Sequence, residues 1–497
     1  MKTLLLLAIA MLSGVTLLAL WRLEPRLPGL ARSPENDPLA RTWRVWAALQ
    51  ASGLLVCAIA SLCDGVPALS TMSYARRLFT LYAGTDSWMP MQRAVEHLQQ
   101  HPDLPLYASL FFEQHVKFQY PLTSLLLLDI PRWVLHVDVS SVIVVYQVLS
   151  RLCVIAIGVV FYLLMTGAIR AAHPGVPRRL PPLTHATLLM LSLFSVAMFY
   201  PIARSEAHGQ IQTALTLLAA LALLAWQRGR PVAAGVLIAL CACVKPQWAF
   251  FVVWALLRRD WRFAAAAVVT GAAVLAVALV AYGFDNVAGY LPVLSFLGRH
   301  GESYFINQSV NGLMHRLLFN GINLEGRGLV WSGTDIPPYH PIVHMATLAT
   351  STLMLGIALF WRLRKRPTLI DMSLVMLSLT IASPVAWEHH YGVLFPIFAV
   401  MFPAAMRARP FGRWTPPLFW LGFMLTSQSF VTLTNLLADT RLNVLQSYIF
   451  FGGLLVLAML YRMSWLETRD ATRARRDDSI DCSSVSEMRR CAQEGGA

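Results

Sequence analysis

Blocks of roughly 17–22 apolar residues recur along this chain, separated by short polar connectors. Each block is long enough to cross a hydrocarbon core of about 30 Å as a helix. Lipid offers backbone groups no water, so the blocks must be helical rather than open sheet. The pattern predicts spans over 2–21, 44–63, 139–167, 183–201, 210–226, 263–282, 341–361, 368–384, 391–406, 415–434 and 444–462. Between 231 and 257 two shorter apolar arms form a hairpin broken at Lys245-Pro246. The run opened by Tyr120-Pro121 is too short for a comfortable crossing and holds Asp129, Pro131 and Arg132, so it reads as re-entrant or interfacial. Residues 87–100 read as a short helix lying on the membrane surface. The whole is an all-α polytopic membrane protein, a bundle of about 12–13 crossing segments.

Charge orients the bundle. The chain has 497 residues, 57% of them apolar and 13% charged, with a formal net charge of +14. That excess would suit nucleic acid, but the arginines sit in short loops between apolar blocks, the pattern of cytoplasmic loops in membrane proteins. Nucleic-acid binding is set aside on that ground. Arg22, Arg26, Arg32, Arg41 and Arg44 put the segment after the first block in the cytoplasm, with the N-terminus outside. Residues 1–43 form an extra span and basic loop, 44–462 one membrane domain, and 463–497 a basic, disordered cytoplasmic tail. No internal repeat is evident, which weakens a transporter built from inverted halves. The cysteines lack metal-binding spacing, and Cys241 and Cys243 read as small core residues.

With that topology, the polar pieces not dominated by arginine fall on one outer face. Asp86 is a lone acid after an early span. A carboxylate within the membrane region costs about 2.5–3.5 kcal/mol, which makes it a functional candidate; the bland alternatives are a solvated loop acid or an N-cap ahead of Ser87-Trp88. Lys245 interrupts the apolar stretch Val236 to Leu257. It either holds a lipid phosphate or snorkels at a hairpin turn. Tyr200 to Gln210 packs Arg204, Glu206, His208 and Gln210 between two spans. Arg204 and Glu206 could pair with each other, and Gln210 could bond a sugar hydroxyl or glue helices. Glu388, His389 and His390 form the other dense cluster. Adjacent helical residues point about 100° apart and chelate poorly, so an imidazole bonding phosphate or hydroxyl is preferred to a metal site. Asn307, Gln308 and Arg316 complete the set.

The order of these elements carries a resemblance. It runs from the Asp86 loop through Tyr120-Pro121, Gly209-Gln210, and Ala234-Gly235 leading to Lys245-Pro246. It closes with Asn307-Gln308-Ser309 and Ser383-Pro384 followed by Trp387, His389 and His390. Over residues 44–430 the chain resembles glycosyltransferase family 87, membrane enzymes of the GT-C type that include polyprenyl-phosphate-mannose-dependent α-(1→2)-mannosyltransferases. It departs from the family pattern in the extra span at 2–21 and in having Pro121-Leu122 where a double proline is usual. The resemblance implies a GT-C-like bundle with an outer-face catalytic loop in the plasma membrane, the inner membrane of a bacterium. It also implies a polyprenyl-phosphate sugar donor, a glycolipid or polysaccharide acceptor, and no cofactor or metal. Asp86 would be the general base, with Lys245, His389, His390 and Arg204 on the donor phosphate. Gln210, Glu206, His208, Asn307, Gln308 and Glu388 would bind acceptor or sugar. The competing readings are a flippase or transporter of lipid-linked glycans and a surface-polysaccharide polymerase or ligase.

Overall fold

A computed structural model describes residues 37–64, 70–80, 84–177, 179–324, 336–363 and 367–467. The expected span at 2–21 and most of the tail at 463–497 lie outside the described residues. Everything described is helix and connector, and the one β-bridge joins Asn307 to Trp387. The chain is an all-α polytopic membrane protein.

Among the described residues, five helices are long and apolar enough to cross a membrane: Val139–Ala172, Trp261–Tyr282, Pro341–Phe360, Glu388–Ala408 and Asn443–Glu467. A sixth span is the pair Pro182–Ala197 and Tyr200–Ala207, bent by 64°, with Pro201 at the start of its second arm supplying the break. Several other apolar blocks form shorter helices, namely Gln212–Gln227, Pro231–Ala242, Pro246–Leu257 and Leu369–Ile381. Such half-length helices survive at membrane depth when protein, not lipid, surrounds their ends. Leu369–Ile381 shows this best, since every residue from Ile370 to Ile381 is buried.

Two surfaces of different character follow. Val139–Ala172 lies at the centre and packs on Leu394–Ala408, Gln212–Gln227 and Pro182–Ala197. Trp46, Phe161, Phe395, Phe402 and Phe423 knit this core through edge and stacked ring contacts. The Trp46 indole also donates to Ser195 Oγ at 3.0 Å. Trp261–Tyr282 and Pro341–Phe360 turn side chains such as Val269, Val280 and Leu353 outward, and the first half of Val139–Ala172 does the same with Val144, Val148 and Leu152. A contiguous apolar exterior of that kind is a lipid-facing surface.

Candidate active site

Two glycines fix the site's first corner. Gly209 has φ +65, and a Cβ there would sit 1.7 Å from the Gly84 carbonyl oxygen. A Cβ on Gly84 would meet the His208 carbonyl carbon at 2.5 Å. The two backbones therefore lie in direct contact, joined by Gly84 N–H to Ala207 O at 3.3 Å and Asp86 N–H to His208 O at 3.0 Å. This contact carries Asp86 onto the mouth of helix Gln212–Gln227. There Gln210 Nε2 donates to Asp86 Oδ2 at 3.3 Å, and Ser87 Oγ donates to Gln210 Oε1 at 2.7 Å. Helix Trp88–Gln100 begins after Ser87, and Asp86 gives it no side-chain cap; the N-cap alternative gives way to the contact with Gln210. Gly209→Ala is expected to destabilise the protein by about 2–4 kcal/mol, because it adds both backbone strain and a clash with a carbonyl. A thermal midpoint and a transfer rate equal to wild type in detergent would show that the two loops can part at no cost.

The second corner is the broken hairpin. Lys245 is extended (φ −129, ψ 96), the conformation that a following proline imposes. Its Nζ contacts His390 Nε2, and the other ring nitrogen of His390 accepts the Trp387 backbone N–H at 3.2 Å. The corners are joined through the segment around Tyr120-Pro121. The Tyr120 hydroxyl lies 3.0 Å from Ser87 Oγ, and Thr123 Oγ1 donates to Cys243 O at 2.5 Å. The Tyr-Pro step is thus a strut between the aspartate loop and the lysine hairpin.

A cavity of about 870 Å³ opens between these corners, and Asp86, Arg204, His208, Lys245, His389 and His390 all line it, as does Gln210. The Asp86 carboxyl is pushed above its ordinary value by burial, against the pull of the Gln210 hydrogen bond and the charges of Arg204 and Lys117. Burial and the Arg204 charge push the His208 imidazole down to about 4, so it is neutral at physiological pH.

Other expected site residues face elsewhere. Glu388 is fully buried and pairs with Arg204 at 3.0 Å, with the Tyr200 hydroxyl donating to the same carboxylate oxygen at 2.9 Å. It does not line the cavity, and it rather than Glu206 is the acid that neutralises Arg204. A buried cation and anion hold each other this way because neither tolerates burial alone. Glu206 turns to Ser150 and, at 3.7 Å, to Arg151. Asn307 spends its amide on the carbonyls of Glu302 and Pro384, and its oxygen on Ala386 N–H. Gln308 bonds the carbonyls of Phe305 and Gln446 and accepts from Phe450 N–H. Glu206, Asn307 and Gln308, expected to bind acceptor or sugar, lie outside the cavity lining, with their polar atoms turned onto protein groups. Arg316 is fully buried against carbonyls and Ser447 Oγ.

Lys117, Glu302, Tyr304 and Trp387 also line the cavity. Glu302 was not legible as a site residue. Its one sequence signal is the Gly301 before it, a glycine that adopts φ +62 beside Asn311. Among the described residues no group of three or more His, Cys, Asp or Glu is placed to hold a metal ion.

The profile of glycosyltransferase family 87 matches residues 118–384, more than half of the chain. No curated protein matches it. The matched stretch contains Gly209, Lys245 and Asn307, and Asp86 lies before it, tied to it through Gln210. The chain belongs to glycosyltransferase family 87 and is a membrane glycosyltransferase.

Proposed function

We propose that the enzyme moves a hexose, mannose by family likeness, from a polyprenyl-phosphate donor to a glycolipid or glycan hydroxyl on the outer face of the membrane. The observation that carries this reading is a single cavity whose lining includes both the Asp86 carboxylate, at the first corner, and Lys245, at the second. In this reaction the acceptor oxygen attacks the anomeric carbon as the bond from that carbon to the phosphate oxygen breaks. The acceptor proton passes to Asp86, and the electron pair leaves on the polyprenyl phosphate. A phosphate needs little protonation to depart, so one carboxylate base suffices. Glycoside hydrolysis, by contrast, normally uses two. Lys245, held by His390, meets the charge that grows on the leaving phosphate. A single displacement inverts the anomeric centre, giving an α-linked product from a β-linked donor.

A second cavity supports a lipid donor. It measures about 360 Å³, is lined by apolar side chains including Ile238, Val252 and Leu275, and shares Pro246 and Tyr290 with the first. A prenyl chain anchored by its phosphate at Lys245 would have an apolar path beside the hairpin. The test is incubation of membranes containing the protein with radiolabelled polyprenyl-phosphate hexoses. Label appearing in a glycolipid or glycan product supports the reading. Transbilayer movement without product would indicate a flippase, and use of only pyrophosphate-linked oligosaccharides would indicate a polymerase or ligase.

The reading also fixes a pH dependence. A general base works only when its proton is off, and burial raises the Asp86 carboxyl above the ordinary 3.8. Transfer is therefore expected to fall, as pH is lowered, at a pH above the normal aspartate range. A pH profile of kcat/KM that stays flat down to pH 4 would remove a buried carboxylate base from the mechanism.

A further inference from the structure

The donor reading accounts for Asp86 and Lys245 but leaves a second carboxylate in the cavity wall unused. Glu302 lies in the outer segment between spans, far in sequence from the lysine and the histidines. Two backbone hydrogen bonds bring it to them. Gln308 N–H donates to Ala386 O at 2.7 Å, and Glu388 N–H donates to Ile306 O at 3.0 Å, so the segment after Glu302 pairs with the strand of chain at Trp387. Glu302 itself is gripped from two sides. Its N–H donates to Asn311 Oδ1 at 3.1 Å, and its carbonyl accepts from Asn307 Nδ2 at 2.9 Å. Gly301 adopts φ 62 and ψ −144, a backbone conformation that other residues rarely take, and a Cβ there would fall 1.8 Å from Asn311 Oδ1, so glycine suits the turn that aims Glu302. The carboxylate oxygen Oε2 then accepts the Trp387 indole N–H at 2.5 Å, and both side chains face the cavity.

Trp387 sets where this pair stands relative to the phosphate. Its ring stacks near His390 at 5.9 Å between centroids, and His390 is the residue in contact with Lys245. In a sugar phosphate the ring follows the phosphate by one bridging oxygen. A donor whose phosphate rests at Lys245 therefore places its hexose next to Trp387 and Glu302. An indole offers a flat apolar face to the C–H side of a pyranose, and a carboxylate accepts two neighbouring hydroxyls at once. We propose that Glu302 and Trp387 form the wall that recognises the transferred hexose, with Glu302 reading its hydroxyl pattern. This inference rests on the lipid-phosphate donor reading above.

The experiment compares wild type, Glu302→Gln and Trp387→Phe with a panel of polyprenyl-phosphate hexoses differing in hydroxyl configuration, and with sugar-free polyprenyl phosphate as inhibitor. Glutamine keeps an oxygen for the Trp387 N–H but loses the charge. A charged acceptor contributes more to each hydroxyl than a neutral one. Glu302→Gln is expected to lower kcat/KM for the preferred hexose roughly 10- to 100-fold and to narrow the preference among hexoses. Inhibition by the sugar-free lipid should stay within about two-fold of wild type, since that ligand has no hydroxyls to read. An unchanged preference across the panel would overturn the proposal. So would an equal loss of affinity for the sugar-free lipid, which would make Glu302 a prop for the phosphate site. If wild type makes no product from any member of the panel, the donor reading itself has failed, and this inference with it.

Discussion

Asp86→Asn is expected to reduce transfer by about 10² to 10⁴-fold, the range that a general base supplies, while leaving the protein folded in the membrane. The substitution is clean for a geometric reason. The Asp86 side chain has one described hydrogen bond, from Gln210 Nε2 to Oδ2, and the asparagine oxygen can accept it equally well. The loop is held instead by backbone, through Asp86 N–H to His208 O and the close approach of Gly84 and Gly209. Shape and contacts are thus retained, and only the capacity to take a proton is lost. Asp86→Glu should sit between the two, because it keeps the base but moves it by a methylene inside a cavity whose other wall is fixed. The measurement is single-turnover transfer from a labelled lipid-phosphate sugar, with thermal midpoint and donor affinity followed in parallel. Wild-type turnover by Asp86→Asn would remove this residue from the chemistry. A loss of turnover matched by a fall in thermal midpoint would make it a structural residue.

The sequence was a good guide wherever apolar contrast marked a feature. The helix at 88–100, the break at Lys245-Pro246 and the short helix after Tyr120-Pro121 are where the pattern puts them. Each is a polar or proline interruption in a hydrophobic field, which has few physical solutions. The same contrast fails inside the bundle. Leu369–Ile381 is as apolar as a lipid-facing span, yet it is enclosed by protein, and hydrophobicity does not record which solvent a side chain avoids. It fails again for polar residues whose role depends on direction. Glu206 and Gln210 are four positions apart on the same turn of chain, and one meets Arg151 while the other meets Asp86. Asn307 and Gln308 looked like ligand contacts because they are polar in an apolar setting, but they are polar to satisfy backbone groups where two loops meet. Arg204 found its partner Glu388 across a large sequence separation, and no local pattern reports such a pair. Glu302 was hidden for the opposite reason, since its neighbours Arg299, His300 and Ser303 are already polar.

Lys245→Met is expected to lower kcat/KM for the lipid-phosphate donor by about 10² to 10³-fold, the loss that follows removal of one preorganised group from a developing oxyanion. The hairpin makes this lysine unusual. It is the residue before the proline that ends helix Pro231–Ala242, and its backbone N–H still closes onto Cys241 O at 2.9 Å, so the side chain leaves the helix end in a fixed direction. That direction leads to His390, which is itself anchored by the Trp387 N–H. In the proposed reaction the unit that would meet the phosphate is a lysine and an imidazole held from separate helices, with little freedom to reorganise as charge builds. Methionine fills the same length without charge, so the hairpin should survive. Arginine should recover only part of the activity, since a planar guanidinium presents a different fork to the phosphate and is too long for a site closed by His390. Two measurements separate the lysine's roles. If it stabilises the departing phosphate, kcat falls more than donor affinity, and the deficit shrinks for a donor with a better leaving group. If it only anchors the ground state, KM rises and kcat recovers at saturating donor. A Lys245→Met enzyme with both constants unchanged would leave the phosphate without its counter-charge and would end the assignment of the donor to this end of the cavity.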